Sequence, residues 1–306
     1  MTGDGRWSMT EVDLGRCRAV AEHLRLVNVL LGSYVEKDPF WEGHAGSQAR
    51  KEAAEARQLG GVPFEIALRA SYSMMHLGLF SAVLHLKAIA ALLELEDPLA
   101  DSVTLLARAV LELSARAWWL ADPSLSTEQR TARGFLEKIE SAKEAKKLKD
   151  ACDPSGNGVG EVAEPLEALY DELQSTPLSV NATRTTIQGQ HRPTATALLA
   201  SFPGNEIAAS HERFFRLFSA TSHGTLYGLT LLFDVPPPDD MGKTTATYRV
   251  TQAWLDGPVS TAILALCWAV QRVGALLAWD EGPLNSYLED LDNLYAEDES
   301  QTSGSR

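Results

Sequence analysis

Three charged side chains four residues apart, Arg108, Glu112 and Arg116, stand in the run LLARAVLELSARAWW, Leu105–Trp119. On a helix a four-residue step returns to nearly the same face, so the three stack in one line with Trp119 close to it. Two guanidiniums bracketing one carboxylate can hold a phosphate or carboxylate through paired N–H donors. The same groups can instead form a water-facing ladder of ion pairs, each worth about 0.3–0.5 kcal/mol, or cross-link two helices. Leu106, Val110, Leu113, Ala117 and Leu120 supply the opposite, core-facing stripe.

A second polar stripe, Arg216, Ser219, His223 and Tyr227, lies in HERFFRLFSATSHGTLYGL. Steps of three, four and four residues align these groups on one face of a helix that continues past Gly224. Glu112, Arg216 and His223 are the candidate catalytic groups. Nucleophilic catalysis also needs an orienting acid and an oxyanion hole, and no motif supplies them. Gly224 directly after His223 equally suits a helix C-cap, where the dipole favours a histidine. If the stripes meet, Arg108, Glu112, Arg116, Arg216, Ser219, His223 and Tyr227 form one polar centre for a small anionic ligand or a partner segment.

Other chemistries find little support. His76 and His85 are half a turn out of phase, and His211 and His223 about 120° apart, so neither pair aims at one ion from one helix. No H-E-x-x-H, ferritin-like carboxylate pattern or phosphate-binding glycine loop occurs, so neither metal nor cofactor is expected. Lys138, Lys143, Lys146, Lys147 and Lys149 are interleaved with Glu137, Glu140 and Glu144, the pattern of a solvated, ion-paired helix. Arg272 sits in an apolar run, Ala262–Leu277, and a charge there needs a partner. An acid on another helix is expected, Glu112 being one candidate.

The elements that position these groups are helical. The 306 residues are 45% apolar, mostly Ala and Leu, a mix that favours helix over strand. A formal charge of −14 argues against capture of DNA or an anionic membrane. Cys17, Cys152 and Cys267 are odd in number and far apart, which suits reduced thiols in a cytoplasmic protein. No signal peptide is visible at the N-terminus. Met74–Leu93 and Pro258–Trp279 approach membrane-span length, but their polar groups favour buried core helices.

Capping signals divide the chain. Ser8 with Glu11, and Trp7 with Val12, open a first helix over about Met9–Glu36. A short helix, Ser47–Leu59, ends at Gly60-Gly61, and a long apolar one runs from Pro63 to Leu95. Asp97-Pro98 opens the Arg/Glu helix, which stops near Asp122-Pro123. Ser126 with Gln129 is a capping box for a charged helix to Asp150. Further helices are expected at Glu161–Leu173, at Glu206–His223, after Asp256-Gly257-Pro258 and from Pro283, with no strand. This reading is all-α: an antiparallel bundle of long helices in one domain, 1–296, with any internal boundary near 151–160 and a disordered tail, 297–306.

The run Arg108, Glu112, Arg116, Trp118, Trp119, Asp122, Pro123, then Arg130 and Arg133, with Ser219, His223 and Gly224 downstream, carries a resemblance. It resembles a group of uncharacterised all-helical actinobacterial proteins with an R-x3-E helix ending in W-W-L-x-D-P and a later S-x3-H-G. That likeness implies a helical bundle and no particular activity. A more distant resemblance is to HEPN helical domains, some of which are metal-independent ribonucleases with an R-x4-H motif. Arg18 to His23 has that spacing, whereas Arg216 to His223 departs from it. The leading expectation is a soluble binding or regulatory bundle for a small anionic ligand or protein partner. The alternative is a HEPN-like ribonuclease of toxin or defence type, the one reading in which RNA is a partner. Homodimerisation through Phe40-Trp41 is compatible with both.

Overall fold

The computed structural model describes residues 12–37, 43–96, 99–152, 166–202, 233–234, 247–248 and 251–290. In order they form α1 (Leu14–Lys37), α2 (Gln48–Leu93), α3 (Ala100–Leu120), α4 (Thr127–Cys152) and α5 (Leu166–Gln174). A hairpin of β1 (Thr186–Ile187) and β2 (Gln190–His191), then α6 (Ala195–Leu199), follow. Strands β3 (Phe233–Asp234) and β4 (Thr247–Tyr248) pair antiparallel, and α7 (Gln252–Leu277) and α8 (residues 282–290) complete the set. The architecture is an all-helical bundle, with α2 packed against α1, α3, α4 and α7.

Local chemistry explains the boundaries. Asp13 Oδ1 accepts from the backbone N–H of Gly15 (2.8 Å) and Arg16 (3.1 Å), so α1 has an aspartate cap. Its buried stripe, Cys17, Ala21, Leu24, Leu31 and Val35, keeps helical spacing. Ser126 and Gln129 form the expected reciprocal box: Ser126 N–H donates to Gln129 Oε1 at 3.0 Å and Gln129 N–H to Ser126 Oγ at 3.3 Å.

Several expectations need correction. The break at Gly60-Gly61 is a kink within α2, where Gly61 takes a left-handed φ of +70°. It divides α2 into a polar arm before the kink and an apolar arm beyond it. Helix α7 begins at Gln252, before Asp256-Gly257-Pro258, and carries Pro258 inside it. Strands are present, though each is two residues long. In the first hairpin Gln188 and Gly189 both have positive φ, 49° and 72°, the two-residue turn that suits strand twist. The Ser8/Glu11 box, Phe40-Trp41, Asp97-Pro98, the 151–160 boundary beyond Cys152, and the 297–306 tail lie outside the described residues.

Helices α2 and α3 run antiparallel. Their connection is short, and Gly78 lies against the Leu113 carbonyl at a matching distance from it along both helices. Where α2 crosses α4, Gly134 sits directly on Ser71, leaving no room for a side chain. The main core gathers Leu24, Leu68, Met75, Leu79, Phe135 and Leu266, among others. A smaller cluster beneath α6 joins Leu198, Leu199 and Phe202 to Leu111, Ala115 and Ala265. Cys17 and Cys267 are buried free thiols, and burial pushes the Cys267 thiol up to about 12. Two described helices, α2 and most of α7, are long and apolar enough to cross a membrane; both pack within the bundle.

Candidate functional site

Arg108, Glu112, Arg116 and Trp119 lie on α3 and are all half-buried. Arg108 Nε donates to Glu112 Oε1 at 3.0 Å, the expected i,i+4 pair. The stripe is neither fully water-facing nor sealed. Arg116 makes no ion pair among the described residues. Arg216, Ser219, His223 and Tyr227, as well as His211, lie outside the described residues, so the union of the two stripes is not seen here.

What the tertiary structure builds around α3 is a clamp on its C-terminal end. The last carbonyls of a helix have no intrahelical partner, and here three arginines fill them. Arg272 Nη1 donates to the Trp118 carbonyl at 3.2 Å, Arg133 Nη1 to that of Trp119 and Arg130 Nη1 to that of Leu120. Arg130 Nη2 adds the Asp122 carbonyl at 3.0 Å. Positive charge at this end also opposes the helix dipole. The Asp122 carboxylate sits between two of them, 3.6 Å from Arg133 Nη1 and 3.4 Å from Arg272 Nη2. Arg272 stacks over Trp118 with its guanidinium carbon 3.8 Å from the ring centroid, and Arg133 covers Trp119 at 4.8 Å.

Arg272 therefore finds an acid on another element as expected, but that acid is Asp122. Glu112 is engaged by Arg108 one turn along its own helix. Burial pulls the Arg133 guanidinium down to about 10, with Arg130 and Arg272 adding repulsion and Asp122 opposing it. Burial works to raise the Asp122 carboxyl, yet its bonds from Ser124 and the charges of Arg272 and Arg133 hold it below its ordinary range.

Arg130 ties this end of α3 to the polar arm of α2. Its Nε and Nη2 donate to the two oxygens of Glu52, at 2.7 and 3.2 Å. Tyr72 Oη donates to Glu52 Oε2 at 2.7 Å and Gln48 Nε2 to Oε1 at 3.3 Å, so both oxygens are satisfied. Desolvation, reinforced by Glu52, raises the Tyr72 phenol and keeps it a donor. This network is a structural joint; with Arg130 holding four acceptors, its guanidinium is already committed.

A concave polar feature spans the kink of α2. Arg50, Arg57, Arg69 and Glu65, with Gln58, Ala53 and Ala54, line a cavity of about 540 Å³. Glu65 is buried and receives Arg57 Nε at 2.5 Å and Arg69 Nη2 from one turn on. Desolvation works against its charge, but the two arginines hold its carboxyl below the ordinary range. Arg50 lines the same cavity, its Nε donating to the Gly43 carbonyl at 3.1 Å. Sequence spacing did not expose this group, because the kink at Gly60-Gly61 breaks the periodicity between Arg57 and Glu65.

His23 is half-buried on α1, with Nε2 2.7 Å from Tyr287 Oη on α8, and burial lowers its pKa. Arg18 is exposed, and no hydrogen bond joins it to His23. The R-x4-H match thus forms no catalytic arrangement among the described residues. No group of three or more His, Cys, Asp or Glu among those residues is placed to hold a metal ion. No family model, curated protein or solved structure matches this chain.

Proposed function

We propose that this chain is a binding or regulatory module whose ligand is a small anion or an acidic partner segment held by arginine side chains. The observation that carries the reading is the concavity of Arg50, Arg57 and Arg69 around Glu65. Ligand sites favour concave surfaces with a few convergent polar groups. Guanidiniums grip carboxylate and phosphate oxygens through paired donors. Arg57 is the member most open to solvent, with 61% of its side chain exposed, so it is the natural first contact. Arg108, Glu112 and Arg116 on α3 form a second arginine cluster, to which Arg216, Ser219, His223 and Tyr227 would add from the second stripe.

Calorimetric titration with inorganic pyrophosphate and with citrate tests this. Saturable binding is expected, weakened at least tenfold by Arg57→Gln and spared by Arg116→Gln. The converse pattern would move the ligand to α3. Absence of saturable binding to either anion, in a folded protein at low salt, would sink the small-anion reading.

A further inference from the structure

Beyond its kink, α2 carries a second pattern, on a face that is exposed or partly so. Ile66, Ala70, Ser73, Leu77, Phe80, Leu84, Lys87 and Ala91 follow one another in steps of four, three, four, three, four, three and four. All eight are exposed or partly so; Ile66 is 56% exposed, Leu77 52% and Leu84 49%. Alternating steps of four and three are the heptad pattern of a two-helix seam, narrower than the stripe that faces a globular core. Between Arg69 and Glu94, Lys87 is the only Lys, Arg, Asp or Glu on α2. Alongside, α1 presents Val29, 74% exposed, and the gap between the helices is a groove of about 750 Å³ whose lining includes Val29, Phe80, Leu84, Lys87, Asn28 and Arg25. The Asn28 amide nitrogen and oxygen are both buried without a hydrogen-bond partner, an arrangement that costs free energy until a partner arrives.

We infer that this face is an interface between two copies of the chain, with α2 packed antiparallel on α2 of the second copy about a twofold axis. An isologous contact needs one self-complementary patch, and a charge-poor heptad seam is such a patch. Its length, about 37 Å at 1.5 Å per residue, gives a strip on the order of 700 Å² per copy with the α1 lip included, close to a standard interface half. Antiparallel pairing separates the two Lys87 side chains and sets each opposite a small residue, Ala70; parallel pairing would oppose like charges in the seam. A lipid surface is the less fitting occupant: of the groove's two cations, Lys87 and Arg25, the second is paired with Glu94, and the chain carries −14. The inference is independent of the arginine concavity.

Sedimentation velocity on the full chain from about 1 to 100 µM, in the concentration range of ordinary dimers, decides it. The expected species has twice the 33.3 kDa chain mass and strengthens with salt, because the copies are both acidic. Leu77→Glu/Leu84→Glu should halve the mass with unchanged circular dichroism, while Leu148→Glu, an exposed leucine on α4, should leave it dimeric. Phe80→Cys, near the twofold, should give a reducible cross-linked dimer that the parent chain does not, which covers the case of a poorly folding double variant. A monomer at every concentration, a dimer that survives the double glutamate variant, or a monomer that floats with phosphatidylcholine vesicles would each overturn the inference, the last assigning the seam to lipid.

Discussion

Arg130 and Glu52, 78 residues apart in the chain, share two hydrogen bonds with side chains at most 2% exposed. Their pairing joins the polar arm of α2 to the start of α4, and through the Leu120 and Asp122 carbonyls to the end of α3. A buried ion pair of this kind adds little net stability over an apolar pair of equal shape, yet breaking it by losing one partner is costly.

Removing one partner leaves the other charged and buried. Arg130→Met is expected to cost about 3–5 kcal/mol of unfolding free energy, and Arg130→Lys a substantial part of that, since an ammonium cannot fork across both oxygens. The double variant Glu52→Leu/Arg130→Met should cost clearly less than the sum of its single changes. Urea denaturation of the four proteins measures the cycle. Additive losses would mean that the two side chains are not energetically coupled.

The crossing of α2 and α4 depends on Gly134. A Cβ there would lie 2.0 Å from Ser71 Oγ and 3.0 Å from Ser71 Cβ. Gly134→Ala should therefore destabilise by about 1–3 kcal/mol despite alanine's better helix propensity. Ser71→Ala, which removes the nearer atom, should recover part of that loss in the double variant. A thermal midpoint for Gly134→Ala equal to or above that of the parent would contradict this packing.

Acid should weaken the fold in two separable steps. Burial sets the His23 pKa below its ordinary 6.5, so the unfolded chain takes up its proton first. The His23 contribution is complete above 6.5 and is lost as pH falls from there towards the folded value. Asp122 and Glu65 are likewise depressed, and their contributions are lost lower, as pH falls below the ordinary carboxylate range. Urea midpoints across pH 8 to 3 should show both declines. His23→Gln should flatten the upper one alone and Asp122→Asn should reduce the lower. An upper limb unchanged in His23→Gln would remove His23 as its source.

Much of the scaffold was legible in the chain, because the information is local. The Ser126/Gln129 box and the Arg108–Glu112 pair close within one helical turn, so residue type and spacing are sufficient to read them. The same holds for the end of α3 at Asp122-Pro123 and for the Ala- and Leu-rich runs that become α1, α2 and α7. The need of Arg272 for a partner followed equally from its apolar setting.

Which partner it takes did not follow. Asp122 lies 150 residues from Arg272, and periodicity along one helix carries nothing about the face of another. For the same reason the Arg50, Arg57 and Arg69 concavity was hidden behind a kink, and nothing in the spacing of Arg130 and Arg133 showed that they close the end of α3. The sequence by itself determined an acidic all-helical bundle and its local caps, since backbone hydrogen bonding and amphipathic spacing are short-range. Only the tertiary structure decided which guanidiniums close a helix end and which line a concave surface, because both depend on contacts between residues far apart in the chain.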